Sequence, residues 1–577
     1  GEFNQLYSSV SSSREKVASK IMEILTPLEL TSPHPARAIM HALPMDFTYE
    51  ISENNAFYYE KKTYINEELK DIDLHFTPTG EFKLIKGSVK YMAFTDRIVE
   101  KVNPFEMHDL ITAKSGNKIE ANSFWIGLQM PKSLNDLNGI SFYFELDEAE
   151  KSEIEQETMY RVLSESLWES GDLKLETING YLSDQDSNKE ILDMGSTQEF
   201  NKSRSICRHI NNFYKKRFYT IKHNIENSKA ASPLNRGVPQ IFTNIFDEEE
   251  LQELEKNTVW IKLNLPQYLP QSIFKKINCT INCFPIVNRR IEKANVSGKE
   301  KIKGLESESY ETFFDLKNFS AYGDLKVIFD SKRTEADEST AILSLRQDNL
   351  GRYSSRNVLE LIQQLINSYR EEYLAFSKIK NLSHDSIENL NVAIRPFESI
   401  LDELHTMSFN SIPYIILKTN PENEDEQVQV EYWITNGSTA NDIRREELLR
   451  YDSAEFAKEE ILLMTNTYGG TDRKRNEELI HDFRYALISR NKIVTKMDIR
   501  SLCYKIFENN LEQVEIKEGV TTSLKVNSGI RRCMNINLIL SRDNNLSQDT
   551  VAFLKDELLT QLKEKSSMLL PFKVIVT

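Results

Sequence analysis

Cysteine is scarce in this chain, with five residues among 577. The five stand far apart, at Cys207, Cys279, Cys283, Cys503 and Cys533. So few and so scattered thiols exclude a disulfide framework and favour a reducing compartment. We therefore expect all five to be buried and reduced.

Long apolar runs are missing as well. A membrane-spanning helix needs about 20 apolar residues in a row, whereas the most apolar stretches, 412–417 and 568–576, have only the length of a strand. The first 25 residues follow a polar helical pattern, which is not that of a signal peptide. We therefore expect an intracellular protein that does not insert into a membrane.

Positive charge is not in excess. The chain carries 72 basic and 88 acidic side chains, which gives a net charge of −16, and its sequence pI is near 5.3. A protein that binds nucleic acid or anionic membrane through its overall field needs the opposite sign, and there is no polybasic block. The composition, 40% hydrophobic and 28% charged, is that of a globular protein with about three to five domains.

Patterns typical of catalysis or cofactor binding are absent too. There is no glycine-rich phosphate loop and no nucleophile elbow. Cys279-x3-Cys283 resembles half of a zinc site, but no histidine lies near it in sequence. The calcium-like start at Asp184 has Lys189 and Gly195 where such a loop needs glycine and glutamate. We expect no metal and no cofactor, although a catalytic pair among 88 carboxylates cannot be recognised without geometry.

The pattern of apolar residues predicts an α+β, multidomain fold with mixed α/β N-terminal and middle domains. We expect five consecutive segments: 4–235, 240–355, a helical pair at 356–406, a mixed segment at 407–490, and a C-terminal domain at 491–577. Within them we expect helices at 13–25, 39–43, 151–168 and 200–222, a hairpin turn at Thr79-Gly80, a linker at 224–240 and an exposed loop at 331–356. The predicted strands include 57–59, 74–76, 82–85, 142–146, 259–265, 279–287 and 428–434.

The helical pair carries two apolar stripes with seam-like spacing. The first comprises Val358, Ile362, Leu365, Tyr369, Tyr373 and Phe376, and the second includes Ile387, Leu390, Leu401 and Leu404. Pro396 predicts a break in the second helix. These stripes are consistent either with packing against the chain's own core or with a helical bundle shared with a partner.

The last 85 residues have the clearest topology. Thr495 and Asp498 form a capping box for a helix, strands follow at 514–516 and 534–540, a helix begins near Ser547, and the final strand is 572–576. Helix–strand–strand–helix–strand is most of a ferredoxin-like split βαβ pattern, a two-layer α/β sandwich. Such a unit carries no function by itself.

Residues 432–502 contain a recognisable series of motifs. Gly437-x3-Asn441 is followed by Gly469-Gly470-x-Asp472, then by a helix that leads to Arg490, Val494-Thr495 and Asp498. This order resembles that of the baseplate J-like proteins of contractile phage tails. Upstream, the stretch Asn282-Cys283-Phe284-Pro285-Ile286-Val287-Asn288 resembles a segment of the TssF family, the baseplate wedge subunits of type VI secretion systems.

The resemblance covers about half of the chain and implies a structural role. It implies a cytoplasmic baseplate subunit, docked at the inner face of a bacterial envelope, that uses no catalytic residue. By the same resemblance, two copies would join one TssG-type partner in a wedge. The wedge would contact a TssK-type adaptor, a TssE-type sheath initiator and a VgrG-type spike, and would couple baseplate rearrangement to sheath contraction. Three alternatives stay open: a phage or phage-derived particle, an adaptor outside any baseplate, and an uncharacterised hydrolase.

The motif residues themselves predict structural roles. Gly437, Gly469 and Gly470 are expected at turns that need a positive φ or a close backbone approach, whereas Pro285 and Asn288 are expected to end a buried strand. Our hypothesis for the TssG-type contact is the helical pair, within 357–376 and 385–405. The C-terminal domain is the candidate for contacts between wedges.

Overall fold

A computed structural model of the chain describes part of its length. The described residues are 33–65, 68–113, 118–134, 136–146, 153–171, 173–181, 202–222, 236–252, 254, 257–267, 269–321, 326–329, 340–346, 413–420, 423–472, 485, 489, 492–522, 530–541, 546, 548–566 and 570–576. They fall into two compact units. We call residues 33–290 with 435–577 the main unit, and residues 291–434 the inserted unit.

The first part of the main unit is mostly β. Its strands are β1 (Arg37–Pro44), β2 (Thr48–Ile51), β3 (Phe57–Ile65), β4 (Glu68–Pro78), β5 (Phe82–Ile85), β6 (Ser88–Phe94), β7 (Arg97–Lys101), β8 (Met107–Thr112), β9 (Ser123–Gln129), β10 (Ser141–Leu146), β11 (Leu167–Ser170), β12 (Leu173–Leu175), β13 (Thr177–Asn179), β14 (Phe218–Ile221), β15 (Thr258–Asn264), β16 (Ile277–Ile281) and β17 (Cys283–Asn288). Its helices are α1 (Glu153–Ser164), α2 (Lys202–Tyr214), α3 (Gln240–Thr243), α4 (Glu248–Leu251) and α5 (Gln271–Phe274).

The strands of the inserted unit are β18 (Arg290–Ser297), β19 (Ile302–Gly304), β20 (Thr312–Ala321), β21 (Lys326–Phe329), β22 (Thr340–Arg346), β23 (Tyr414–Lys418) and β24 (Gln427–Thr435). The first and last of these strands each include one residue of the main unit. They form two sheets, ordered β18-β24-β20 and β19-β23-β22-β21. The second sheet is held in register by β22, which pairs parallel with β21 and antiparallel with β23.

The chain then returns to the main unit. There it forms β25 (Phe456–Leu463), helix α6 (Lys496–Phe507), β26 (Leu511–Thr522), β27 (Ile530–Leu540), helix α7 (Gln548–Lys565) and β28 (Phe572–Val576). Short 3-10 turns stand at Lys215–Arg217, Gly437–Ala440 and Glu508–Asn510.

A five-stranded antiparallel sheet, ordered β25-β1-β17-β4-β3, brings distant parts of the sequence together. β1 pairs with β17 on one side and with β25 on the other. Seven of the eight residues of β1 are buried. This sheet therefore joins the two segments that resemble known baseplate proteins.

The largest core lies between two other antiparallel sheets. One is ordered β13-β14-β10-β16 and the other β12-β11-β15-β9-β6-β7-β8. Alternate residues of β9, β10, β15 and β16 enter this core together with helix α1. The opposite face of the longer sheet buries a smaller aromatic cluster that includes Trp125, Phe242 and Trp260.

The C-terminal part of the main unit is a two-layer α/β sandwich. Helices α6 and α7 share one core with the sheet β26-β27-β28. Thr495 and Asp498 form the predicted capping box, in which the Asp498 carboxylate accepts from the Thr495 N–H at 2.8 Å. The strand pairing differs from a ferredoxin-like pattern in one respect: β27 and β28 are direct parallel neighbours, without a strand between them.

The α+β, multidomain prediction is confirmed, and so are the strands predicted at 57–59, 74–76, 82–85, 142–146, 259–265, 428–434 and 572–576. The division into five consecutive segments stays a prediction. The helices predicted at 13–25 and within 356–406, and the calcium-like loop, lie outside the described residues. Among the helices of the described ranges, none is long and apolar enough to cross a membrane.

Several local predictions are wrong. Residues 39–43 lie in strand β1, because hydrogen-bonded partners on both sides override a short, mostly apolar run that fits either structure. Thr79-Gly80 is not a hairpin turn, since β4 pairs with β3 and β17 whereas β5 pairs with β2. The predicted loop at 331–356 contains strand β22, whose Ala341, Ile342 and Leu343 are fully buried.

Other predictions erred in their boundaries. The helices predicted at 151–168 and 200–222 end at Ser164 and Tyr214, and strands β11 and β14 follow them. The single strand predicted at 279–287 is two strands, because Asn282 between them has a φ of 60°. Pro285 lies inside β17 rather than at its end, while Asn288 is the last residue of that strand.

Candidate functional site

The motif residues of the two resembling segments meet in the main unit. We call this region the motif junction and define it by Asn282–Asn288, Thr435–Asn441 and Tyr468–Asp472. Its centre is the carboxamide of Asn288, which is fully buried at the end of β17. Burying an amide without hydrogen-bond partners would be costly. The partners of this side chain therefore identify the segments that it holds together.

Asn288 uses both ends of its side chain. Its Oδ1 accepts from the Asn436 N–H at 2.9 Å and from Thr435 Oγ1 at 3.0 Å. Its Nδ2 donates to the His75 carbonyl at 2.9 Å and to Asn436 Oδ1 at 3.0 Å. One side chain therefore fixes the backbone at the point where the chain re-enters the main unit and attaches it to strand β4.

A second set of contacts clasps the two glycine motifs together. Asn441 Nδ2 donates to the Gly470 carbonyl, and the Gly470 N–H donates to Asn441 Oδ1, each at 2.8 Å. The Ser438 N–H donates to Asp472 Oδ1 at 2.9 Å. Here side chains make the kind of paired hydrogen bonds that backbone groups make between strands. These bonds fix the loop at 437–441 against the loop at 469–472.

The glycines are required by this geometry. Gly437 and Gly469 have φ values of 54° and 78°, in the left-handed region that favours glycine. A Cβ on Gly470 would overlap the carbonyl oxygen of Gly437. The expected roles of all three residues, positive φ or close approach, are therefore confirmed.

Asn282 joins the junction to strand β5. Its Nδ2 donates to the carbonyls of Ile85 at 2.8 Å and Gly87 at 3.0 Å, and its Oδ1 accepts from the Ile85 N–H at 2.9 Å. Asn tolerates a positive φ better than most residues, and here its side chain also binds the backbone of Ile85. Cys283, Pro285 and Val287 are buried beside it.

A buried cation borders the junction on the side of β1. The Arg37 guanidinium carbon lies 5.1 Å from the centre of the Tyr468 ring and 2.9 Å from the centre of the Phe553 ring. The hydroxyls of Tyr468 and Tyr214 are 2.9 Å apart. A Cβ on Gly469 would lie 2.5 Å from Arg37 Nη2, so glycine makes room for this cation. Burial lowers the pKa of Arg37, while Tyr468 counters that effect.

A buried polar network lies in another part of the main unit. Lys101 Nζ donates to Asn278 Oδ1 at 2.6 Å, to the Cys279 carbonyl at 2.8 Å and to Thr280 Oγ1 at 2.8 Å. Asn278 also donates to Glu145, which accepts from the Tyr143 hydroxyl at 3.0 Å. Burial lowers the pKa of Lys101 to about 8, an effect that the nearby Glu145 carboxylate opposes.

The thiols of Cys279 and Cys283 and the imidazole of His41 are buried. Burial raises the pKa of the Cys279 and Cys283 thiols, which keeps both protonated. Burial also lowers the pKa of His41 to about 4 despite its hydrogen bond with the Glu460 carbonyl. Within the described ranges, no three His, Cys, Asp or Glu side chains gather as metal ligands would. What the junction can do is hold backbone segments in place.

Not all of the predicted residues come together. Thr495 and Asp498 lie in the C-terminal sandwich, where they cap α6, and Val494 beside them is 58% exposed. Arg490 lies outside the described residues. So do all the interface candidates of the helical pair: Val358, Ile362, Leu365, Tyr369, Tyr373, Phe376, Ile387, Leu390, Leu401 and Leu404.

Sequence reasoning missed Arg37, Tyr214, Tyr468 and Phe553. Of these, only Phe553 left a signal. It stands one residue from the apolar stripe Leu554, Leu558, Leu562 of α7, and an aromatic side chain beside such a stripe indicates a second contact surface. The other three carry no sequence pattern, because their contacts span hundreds of residues.

Comparison with known proteins finds similarity to solved structures only at low sequence identity. No protein-family model matches the chain. No curated protein matches it either. A chain in the cryo-electron microscopy structure of the type VI secretion system TssK-TssF-TssG baseplate subcomplex is similar over 100% of this chain and 94% of that chain, with 10% sequence identity and a TM-score of 0.46.

Proposed function

We propose that this chain is a structural subunit of a contractile-injection baseplate, a TssF-like wedge component of a type VI secretion system. The observation that carries the proposal is the motif junction. Two motif series that lie about 150 residues apart in the sequence, and that resemble segments of two related baseplate families, converge through Asn288 and Asn436.

The chemistry of the junction supports a scaffold rather than an enzyme. Its asparagine side chains are engaged in hydrogen bonds to the backbone, as in Asn288, Asn441 and Asn282. Enzymes instead keep an activated nucleophile or base within reach of substrate. A subunit that passes mechanical load between neighbours needs a rigid joint, and a fully satisfied polar network supplies rigidity.

The proposed partners follow from the same resemblance. Two copies of this chain would bind one TssG-type protein, and the wedge would contact a TssK-type adaptor, a TssE-type sheath initiator and a VgrG-type spike. The proposed place is the cytoplasmic face of the envelope. The proposed role is to hold the baseplate ring and to pass its rearrangement on to the sheath.

Affinity purification of the tagged full chain from its native host tests the function. We expect a TssG-like protein to co-elute with spike, sheath-initiator or adaptor proteins. Recovery with tail-tube and sheath proteins but without an adaptor would assign the chain to a phage-derived particle instead. Recovery alone, or with metabolic enzymes, would contradict the baseplate role.

A second experiment tests the proposed contact of the helical pair with the TssG-type partner. Leu365→Asp with Tyr369→Asp places two charges on the apolar stripe, and we expect it to abolish co-purification while the chain stays folded. Gln364→Glu with Asn367→Asp adds two charges of the same sign off the stripe and should leave binding intact. Equal binding by both double variants would refute this contact surface.

A further inference from the structure

The C-terminal sandwich, residues 492–576, has a core of its own. All side chains in that core come from residues 485–576. Its sheet, β26-β27-β28, pairs with no strand of another sheet in the described part of the chain. The sandwich therefore carries the burial that it needs to stay folded without the rest of the main unit.

Phe553 is the exception within the sandwich. Its side chain is 3% exposed, yet it is not among the residues of the sandwich core. On α7, the core face is made by Leu554, Leu558 and Leu562, and Phe553 points to a different side of the helix. What buries this ring lies outside the sandwich.

The ring occupies a socket made by the first part of the main unit. Its centre is 5.0 Å from that of the His209 ring and 4.9 Å from that of the Phe213 ring, both edge-to-face and both on α2. The Arg37 guanidinium covers its face. Aromatic rings that meet edge to face stabilise one another, so the two rings of α2 favour the buried position of Phe553.

The socket is built without help from the sandwich. Arg37 is fixed by the Tyr468 ring and by the tight approach of Gly469, and Tyr468 is tied to Tyr214 through their hydroxyls. The backbones of Arg37 and Tyr468 also exchange hydrogen bonds at 3.0 and 3.1 Å. The glycine motif thus forms the back wall of the socket.

We infer that the C-terminal sandwich is a detachable module, and that Phe553 in its socket is the latch that keeps it docked. Release would expose the Phe553 ring together with His209 and Phe213. It would break no strand pair, and it would open neither the core of the sandwich nor the largest core of the main unit. Other described parts of the main unit are joined by strand pairs, such as β1 with β25, or by the hydrogen bonds of the motif junction, so this aromatic contact is the one that yields first. The inference concerns the isolated chain and holds whatever the function.

Cross-linking of the full chain tests the latch. Lys216 lies within electrostatic range of Lys555 and Asp556 on α7, so a short amine-reactive reagent should link Lys216 to Lys555 in the docked state. Phe553→Arg sets a second guanidinium against Arg37 and should abolish this link. Ala552→Arg adds the same charge at the neighbouring exposed residue and should preserve it.

Hydrogen exchange of β26 and β27 completes the test, because it reports whether the sandwich stays folded. Loss of the link with unchanged protection of both strands is the expected result for Phe553→Arg. A link as strong as that of the unmodified chain would overturn the inference. So would loss of the link together with loss of protection, since Phe553 would then be part of the sandwich fold rather than a latch.

Discussion

Asn288 and Asn436, 148 residues apart in the sequence, hold each other through both side chain and backbone. The carboxamide of Asn288 meets two donors with its oxygen and two acceptors with its nitrogen. No other side chain of this size has two acceptor sites and two donors arranged in that way. The position is therefore specific for asparagine.

Asn288→Asp tests that specificity. The new carboxylate oxygen would face two acceptors, the His75 carbonyl and Asn436 Oδ1, in a buried site. We expect a loss of roughly 3–5 kcal/mol in the free energy of unfolding at neutral pH, the usual cost of an uncompensated buried charge. The loss should shrink on acidification, because a protonated carboxyl can donate again. Chemical denaturation at pH 7 and pH 5 measures both effects.

Asn318→Asp is the control for this change, since Asn318 is exposed. It should alter the free energy of unfolding by no more than about 0.5 kcal/mol. A similar effect of both substitutions would show that the Asn288 contacts do not stabilise the fold.

Gly470→Ala should destabilise the motif junction through overlap with the Gly437 carbonyl. Forcing an atom into such a site costs on the order of 3 kcal/mol, and we expect a lower midpoint in thermal unfolding. Gly237→Ala is the comparison, because Gly237 has a φ of 113° but nothing within 4 Å of a Cβ. That change should cost only the backbone strain, about 1–2 kcal/mol. Equal costs would mean that the junction relaxes to accept the methyl group.

His41 should make the fold sensitive to acid. Burial lowers its pKa in the folded chain to about 4, below the unfolded value near 6.5, so the unfolded chain binds more protons between these two values. Stability is therefore full above about pH 6.5 and falls as the pH drops towards 4, by up to about 3 kcal/mol. Denaturation between pH 7.5 and pH 4 should show this loss in the unmodified chain, with a smaller loss in His41→Leu.

His108→Gln controls for the removal of a histidine, since His108 is exposed. Its pH profile should match that of the unmodified chain. If the stability of His41→Leu depends on pH as that of the unmodified chain does, protonation of His41 is not the cause of the loss in acid.

All five cysteines should be unreactive in the folded chain. Each is buried and outside any disulfide of the described residues, which blocks access of a reagent, and burial raises the pKa of Cys503 to about 12, which suppresses its reactive thiolate. A thiol reagent at pH 8 should titrate less than one equivalent without denaturant and five equivalents in guanidinium. Rapid labelling of one residue under native conditions would reveal a local opening at that site.

The strands with internal alternation were predictable from the sequence. Residues 428–434 begin with the alternation of a half-buried strand, and they lie in β24. Strand β1 was not predictable, because Ala38–Ala42 is apolar apart from His41 and shows no alternation, which fits a buried helix as well as a strand buried on both faces. What decides between them is the presence of β17 and β25, whose residues are remote in the sequence.

The candidate site was predictable in kind but not in geometry. Glycines, asparagines and an aspartate in a fixed order indicated turns and close approaches, and Gly437, Gly469 and Gly470 confirm this. The pairing of Asn441 with Gly470 could not be read from spacing, since a side chain that binds backbone leaves no periodic pattern. The same holds for Arg37 and Phe553, whose contact joins the start of the described chain to α7.

The position of β1 has a consequence for how the protein is made. Within the described chain, the Ile39 N–H is bonded to the hydroxyl of Thr465, 426 residues later, and β1 has β25 as its outer neighbour. During synthesis, one edge of this early strand stays without its final partner until most of the polypeptide has left the ribosome. A ribosome that stops before β25 releases a product with an open, largely apolar strand edge, which is prone to aggregation. Translation past β25 is thus a condition for covering both edges of β1.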